Sequence, residues 1–222
     1  DIFVERKPYT EDAKVICNCA PNSGCKDGCL NRAMHYICGK GCPAGTGCTN
    51  GSLYLRSQKK TKVIFTGSRG FGLKILEKVD EGEFIMDYRG EIIGLETYFN
   101  RIRTIYAGRK DFYALDYDMD EVIDAGQKGN DSRFINHSCS PNIEVRKYQT
   151  AGAGLEEYEI GFWALRDIAP GEELCYNYNF DSFTTYKRPI DPSGSLLTAV
   201  AAEGRQRCFC GASNCSGWLG KR

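Results

Sequence analysis

Arg133-Phe134-Ile135-Asn136-His137-Ser138-Cys139-Ser140-Pro141-Asn142 sets one of only two histidines beside a cysteine that stands far from the other eleven. A lone thiol in that company needs partners, and the rest of the chain supplies them. Seven cysteines crowd one end as Cys17-x-Cys19-x5-Cys25-x3-Cys29-x8-Cys38-x3-Cys42-x5-Cys48, and three more form Cys208-x-Cys210-x4-Cys215 near the other. Disulfides tend to close longer loops, and neighbouring C-x-C pairs bridge badly to each other. Short knuckles of this kind point to metal-binding thiolates.

Two closed tetrahedral zinc sites need eight ligands, so seven thiolates suffice only if one sulfur bridges both ions. Chain order makes Cys25 the bridge, with Cys17, Cys19, Cys25 and Cys29 around one zinc and Cys25, Cys38, Cys42 and Cys48 around the other. His35 is the rival eighth ligand; the alternative is a solvated or locally hydrogen-bonded imidazole. The distal trio Cys208, Cys210 and Cys215 is one ligand short, and Cys139 is the obvious fourth. Cys175 is then left as a free, buried thiol.

The 222 residues are 41% apolar, enough to fold around a core. Twenty-nine basic residues balance 29 acidic ones, which excludes a module that grips phosphates by bulk electrostatics. Any DNA contact is confined to local patches such as Arg56 with Lys59, Lys60 and Lys62. No apolar run approaches membrane-spanning length, and Asp1-Ile2-Phe3-Val4-Glu5-Arg6-Lys7-Pro8 lacks the apolar segment of a signal peptide. The chain is expected to be soluble and unexported, with no membrane partner.

Four regions follow from texture. Residues 1–58 are loop-rich and cysteine-rich, so metal must replace a core there. Residues 59–183 carry short strand-like runs bounded by Gly, Asp and Asn: Val63-Ile64-Phe65, Phe71 to Leu76, Phe84 to Tyr88, Glu91-Ile92-Ile93, Tyr113-Ala114-Leu115, Val122-Ile123-Asp124, Ile143 to Arg146 and Ile160 to Leu165. This reads as mainly β, a β+α class. The apolar spacing of Leu95 to Ala107, closed by Gly108, predicts one helix. Residues 184–206 read as a connecting loop and 207–222 as the last zinc motif.

Gly67-Ser68-Arg69-Gly70-Phe71-Gly72-Leu73 is a glycine-rich turn entering a strand, suited to close approach of backbone to a ligand; it does not fit the phosphate-binding pattern. Glu172-Glu173-Leu174-Cys175-Tyr176-Asn177-Tyr178 sets two tyrosines at strand spacing on one face, and Tyr88 is a third candidate for the same cavity.

In that order and spacing, Arg69-Gly70-Phe71-Gly72, Tyr88-Arg89-Gly90-Glu91, the 133–142 stretch and Glu173-Leu174-Cys175-Tyr176-Asn177-Tyr178 resemble a SET-domain lysine methyltransferase over almost the whole chain. The terminal cysteines look like a post-SET zinc motif, and the seven-cysteine block, with Cys29-Leu30-Asn31-Arg32, resembles the AWS ("associated with SET") region. The resemblance implies a SET fold of several small sheets with a pseudoknot-like carboxyl-terminal threading. An AWS block marks the histone H3 lysine-36 enzymes, whereas lysine-9 enzymes carry nine cysteines and three zincs there. Tyr178 to Phe183 and Val122 to Gly126 look most like the absent-small-homeotic-discs branch. Asp111-Phe112-Tyr113 looks like the nuclear-receptor-binding SET branch.

By that resemblance Arg69, Gly70, Phe71, Tyr113, Asn136 and His137 would line S-adenosylmethionine, with Phe71 where the family often has Trp. Tyr178 would align the substrate amine, Tyr176 would occupy a Phe-or-Tyr switch that limits products to mono- and dimethyl-lysine, and Tyr88 would share the channel. Three Zn2+ ions, a histone H3 tail in nucleosomes, nucleosomal DNA, chromatin-complex subunits and a nuclear, chromosomal location are implied in the same way. So is a 184–206 loop that closes the channel until a nucleosome displaces it. The rival readings are an enzyme for another histone lysine or a non-histone protein, and a chromatin-binding SET module without chemistry. Against the last, the Asn-His pair and the final tyrosine are both present.

Overall fold

The computed structural model describes residues 16–26, 28–39, 41–51, 58–109, 112–118, 120–149, 158–178 and 207–219. Ten strands among them form three small sheets: β1 (Thr61–Phe65), β2 (Phe71–Ile75), β10 (Glu173–Tyr176) and β7 (Asn136–His137) in that spatial order; β3 (Phe84–Asp87), β9 (Tyr158–Ala164) and β8 (Ile143–Gln149); and β4 (Glu91–Gly94), β6 (Glu121–Asp124) and β5 (Ala114–Asp118). The mainly β class read from the sequence is thus the one observed.

The period-2 pattern sets the faces. Leu73 and Ile75 turn into a core shared with Ile85, Ile135, Phe162 and Leu174, and Val63 packs against it. Lys62 and Lys74, opposite each other in register, fall on the other face. All of β3 is buried, as a short apolar run covered on both sides should be.

Among the described residues are two short α-helices, α1 (Leu30–Ala33) and α2 (Leu95–Arg103), and the second packs Tyr98 and Ile102 against Val122. It stops four residues short of the expected Ala107. The Thr104 hydroxyl donates to the Asn100 carbonyl at 2.8 Å, the Thr104 backbone leaves the helical region (φ −114°, ψ −81°), and Gly108 takes a left-handed turn at φ 76°.

The threading lies in β10. It pairs antiparallel with β2 (Leu174 opposite Leu73) and parallel with β7 (Cys175 opposite Asn136, Tyr176 opposite His137), so a late strand lies between two earlier segments. Asn142 fastens it there, its Nδ2 donating to the Glu173 carbonyl at 2.9 Å and its Oδ1 accepting from the Cys175 amide at 2.8 Å.

The cysteine-rich region meets the sheets through a bridge between Tyr36 and Gln149 and a cluster of Ile37, Phe84, Tyr148 and Trp163. His35 stacks on Tyr148 at 5.4 Å between ring centres and belongs to none of the sulfur groups. Among the described residues no helix is long and apolar enough to cross a membrane. The 184–206 loop lies outside the described residues.

Candidate active site and metal centres

Tyr176 and Tyr178, expected on one face, have ring centres 4.6 Å apart, although β10 itself ends at Tyr176. Phe162 lies between Tyr176, at 5.1 Å, and Tyr88, at 6.2 Å, and so joins the third tyrosine to the pair. Burial pushes all three phenols above their ordinary range, so none is a base at neutral pH. The Tyr178 hydroxyl donates to the Ile135 carbonyl at 2.7 Å, which fixes the phenol and leaves its oxygen lone pairs free to accept.

Beside the tyrosines lies a polar lip. Glu173 accepts from Arg69 Nη2 at 2.7 Å through one oxygen and from Asn136 Nδ2 at 2.9 Å through the other. Burial works against the Arg69 charge, and Glu173 outweighs it. Asn136 Nδ2 also donates to the Phe71 carbonyl at 3.1 Å. Gly70 turns the chain at φ 71°, ψ −133°, a conformation that favours glycine. Phe71, 56% exposed, begins an aromatic row with Phe134 and Tyr113, each step 6.0 Å, and the Arg133 guanidinium covers Phe134 at 4.7 Å and Tyr113 at 5.6 Å.

The structure therefore brings Arg69, Phe71, Tyr113, Asn136 and His137 to one region. It also adds residues that carried no function in the sequence reading. Glu173 stood in a quoted motif without a task, and its strand alternation was the signal for its face. Arg133 and Phe134 stood in the opening stretch, where a cation next to an aromatic was the available hint. His137 Nδ1 accepts from the Tyr178 amide at 3.2 Å, while Nε2 lies 3.4 Å from Cys139 Sγ. Burial lowers the His137 pKa.

All twelve cysteines are free thiols. Three groups of four sulfurs lie within 4.8 Å of one another: Cys17, Cys19, Cys25 and Cys29; Cys17, Cys25, Cys38 and Cys42; and Cys139, Cys208, Cys210 and Cys215. The first and third are the sets expected. In the second, Cys17 stands where Cys48 was expected, and Cys48 packs against the same cluster. Cys17 and Cys25 are both common to the first two groups, so the single bridge expected at Cys25 becomes a shared pair. Cys25 is held in the left-handed region at φ 49°, with Arg32 Nε donating to its carbonyl at 2.8 Å.

The donor set fits zinc. A Zn–S bond of about 2.3 Å gives a tetrahedral S–S edge of about 3.8 Å. The observed edges include 3.7 Å for Cys17–Cys25 and for Cys17–Cys42, 3.3 Å for Cys25–Cys42 and 4.0 Å for Cys139–Cys208. Burial pushes the Cys25 and Cys38 thiols up, so thiolates persist there only with a cation among them. Asn50 Nδ2 at 3.2 Å and Asn31 Nδ2 at 3.6 Å donate to Cys38 Sγ, the kind of outer hydrogen bond that orients a metal-binding thiolate.

Small sheets threaded by a late strand, with sulfur clusters at both ends and a tyrosine cluster beside an Asn-His pair, define a SET-type architecture. Family comparison agrees: a SET domain matches residues 70–179 and an AWS domain residues 20–54. The chain belongs to the SET-domain family, in the group that carries an AWS region. It is 35% identical over 97% of its length to the histone-lysine N-methyltransferase ASHH2 of Arabidopsis thaliana, covering 11% of that protein. It is 39% identical over 93% of its length to the histone-lysine N-methyltransferase NSD3 of Mus musculus, covering 13%. To a human histone-lysine N-methyltransferase described as H3 lysine-36 specific it is 37% identical over 96% of its length, covering 7%. The chain thus spans a small part of these relatives.

Proposed function

We propose that the chain is a histone-lysine N-methyltransferase that moves a methyl group from S-adenosylmethionine to lysine-36 of the histone H3 tail in nucleosomes. The observation that carries this reading is the run of three protonated tyrosines around Phe162, opening beside the Arg69–Glu173–Asn136 lip. Held there, S-adenosylmethionine would supply a methyl group whose bond to the positively charged sulfur breaks as a neutral lysine amine takes it, leaving a neutral thioether, with the amine's proton passing to solvent.

Arg69, Phe71, Tyr113 and Asn136 would hold the cofactor, with His137 meeting it through its main chain since its ring is engaged by Tyr178 and Cys139, and the exposed Phe71 ring suits a purine or a sulfonium face. A lysine threaded between Tyr88, Tyr176 and Tyr178 leaves water, and desolvation lowers its pKa toward the neutral amine. The tyrosines then align the amine and take no proton from it. Tyr176 sits on the Phe162 side of the channel, where its hydroxyl would limit room for a third methyl.

Lysine-36 is supported by relatives described as H3 lysine-36 specific, which align with nearly all of this chain. Three zinc ions would occupy the three sulfur groups, of which the first two share Cys17 and Cys25. A nuclear, chromosomal location and DNA contact go with a nucleosomal substrate. Lys60, Lys62 and Lys74 share the outer face of β1 and β2, and none makes an ion pair among the described residues. Lys59, expected in that patch, is engaged by Glu83 at 2.9 Å, and Arg56 lies outside the described residues.

The test is methylation of recombinant nucleosomes with radiolabelled S-adenosylmethionine, comparing unmodified histone H3 with histone H3 substituted at lysine-36. Label is expected on the first substrate alone. Equal labelling of both overturns the substrate assignment, and no labelling of any histone overturns the reaction.

A further inference from the structure

We infer that His137 is a strut between the third metal centre and the tyrosine channel, so that a zinc ion held by Cys139, Cys208, Cys210 and Cys215 sets the position of Tyr178. The geometry runs through one imidazole. Nδ1 accepts the Tyr178 backbone amide at 3.2 Å, which requires that nitrogen to be unprotonated. In the neutral ring the proton is then on Nε2, and Nε2 lies 3.4 Å from Cys139 Sγ. The hydrogen bonds thus assign the tautomer: one edge of the ring donates to a metal-binding sulfur, and the other receives the strand that carries the channel tyrosine.

Five further contacts make the link stiff. Tyr176 pairs with His137 across the parallel ladder, and the Ser138 amide donates to the Tyr176 carbonyl at 3.0 Å. The Tyr178 phenol returns to the Ile135 carbonyl, two residues before His137. From the metal side, Asn214 Nδ2 donates to the Cys139 carbonyl at 2.9 Å, so the carboxyl-terminal knuckle grips the same segment. The His137 and Tyr178 rings meet edge to face at 5.3 Å, and a tilt of one moves the other.

Removing zinc frees Cys139 Sγ, the donor bond from Nε2 loses its fixed acceptor, and the imidazole no longer holds the Tyr178 amide. His137 is therefore a positioning residue, distinct from the groups that meet the substrate. The effect on turnover rests on the methyltransferase reading; the strut itself does not.

Two substitutions separate the edges of the ring. His137→Asn keeps an acceptor near Nδ1 and loses the donor toward Cys139, while His137→Gln reaches the Nε2 position with an amide donor and loses the acceptor for Tyr178. In competition with a colorimetric chelator, the zinc equivalent that a Cys215→Ser control lacks is expected to bind about 10- to 100-fold more weakly in His137→Asn, with His137→Gln close to wild type. Hydrogen exchange at the Tyr178 amide is expected to speed up in the wild type when that zinc is withdrawn, with Leu73 and Phe162 in the core still protected. In His137→Asn it should not respond to zinc at all.

The strut is overturned if His137→Asn holds zinc as tightly as wild type, or if Tyr178 exchange in the wild type ignores zinc. A wild-type protein that methylates no histone would sink the functional reading and leave both of these measurements to decide the strut.

Discussion

Gly72→Ala is the sharpest perturbation the pocket offers. Gly72 lies in β2 opposite Ile64, and a Cβ built there would stand 2.7 Å from Glu173 Oε1, 2.7 Å from Thr66 Cγ2 and 3.0 Å from Asn136 Nδ2. Glu173 cannot swing away freely, since its carboxylate is held at 2.7 Å by Arg69 and at 2.9 Å by Asn136. Overpacking by one methyl costs about 1–3 kcal/mol, and each hydrogen bond to a charged group that the shift breaks adds about 1.5–3 kcal/mol. With one such bond lost the destabilisation is about 2.5–6 kcal/mol. For an m-value of about 2 kcal/mol/M the urea midpoint falls by roughly 1–3 M with m unchanged. A displaced Asn136 amide should also weaken S-adenosylmethionine by about one hydrogen bond, or 0.5–1.5 kcal/mol, roughly 2- to 13-fold by calorimetry. Glu173→Ala and Thr66→Ser each remove one of the colliding atoms, so each double variant should be more stable than the summed single costs by about 0.5–3 kcal/mol. A Gly72→Ala protein with wild-type midpoint and affinity, or costs that simply add, would refute the reasoning.

Tyr178→Phe leaves the buried Ile135 carbonyl without its donor, costing about 1–3 kcal/mol of stability, and is expected to lower turnover roughly a hundredfold with cofactor binding retained; near wild-type turnover removes Tyr178 from the chemistry. Tyr176→Phe should raise the share of trimethyl product in mass spectra of methylated nucleosomes, and an unchanged distribution contradicts the switch. Arg101→Ala takes the guanidinium, 2.8 Å away through Nη1, from both Glu91 and the buried Asp124, leaving Asp124 with only neutral donors from Tyr106 and Gly126, and should cost about 3–5 kcal/mol in chemical denaturation. Stripping zinc with a strong chelator should unfold the cysteine-rich region, whose own buried cluster is four cysteines and Ala44, seen as lost thermal cooperativity and restored on adding zinc; a melt indifferent to zinc contradicts the metal assignment.

Features whose physics is local were legible in the sequence. The strands with period-2 runs stand where the pattern put them, and each C-x-C knuckle places both of its sulfurs in one group. What the sequence hid is set by contacts between distant segments. The second sulfur group has Cys17 in place of Cys48, and Cys25, shared by both groups, sits in left-handed backbone; ligand order along the sequence carries no trace of either. Helix α2 ends early because one threonine hydroxyl reaches back to a carbonyl, a competition that apolar spacing does not register.

The Asn136–His137 pair makes the point most fully. A two-residue strand has no periodicity to read, yet its parallel pairing with β10 determines what both side chains do. Successive side chains of a strand point to opposite sides. The Asn136 amide accordingly turns to Glu173 and the Phe71 carbonyl on the cofactor side, while the His137 ring turns to Tyr178 and the Cys139 sulfur. A slip of one residue in that pairing would exchange the two duties, leaving an imidazole against Glu173 and a short amide unable to span from Tyr178 to Cys139. Register is therefore the property on which both pocket and metal link depend. Asn142, which clamps β10 by both atoms of its amide, supports the active site without facing it.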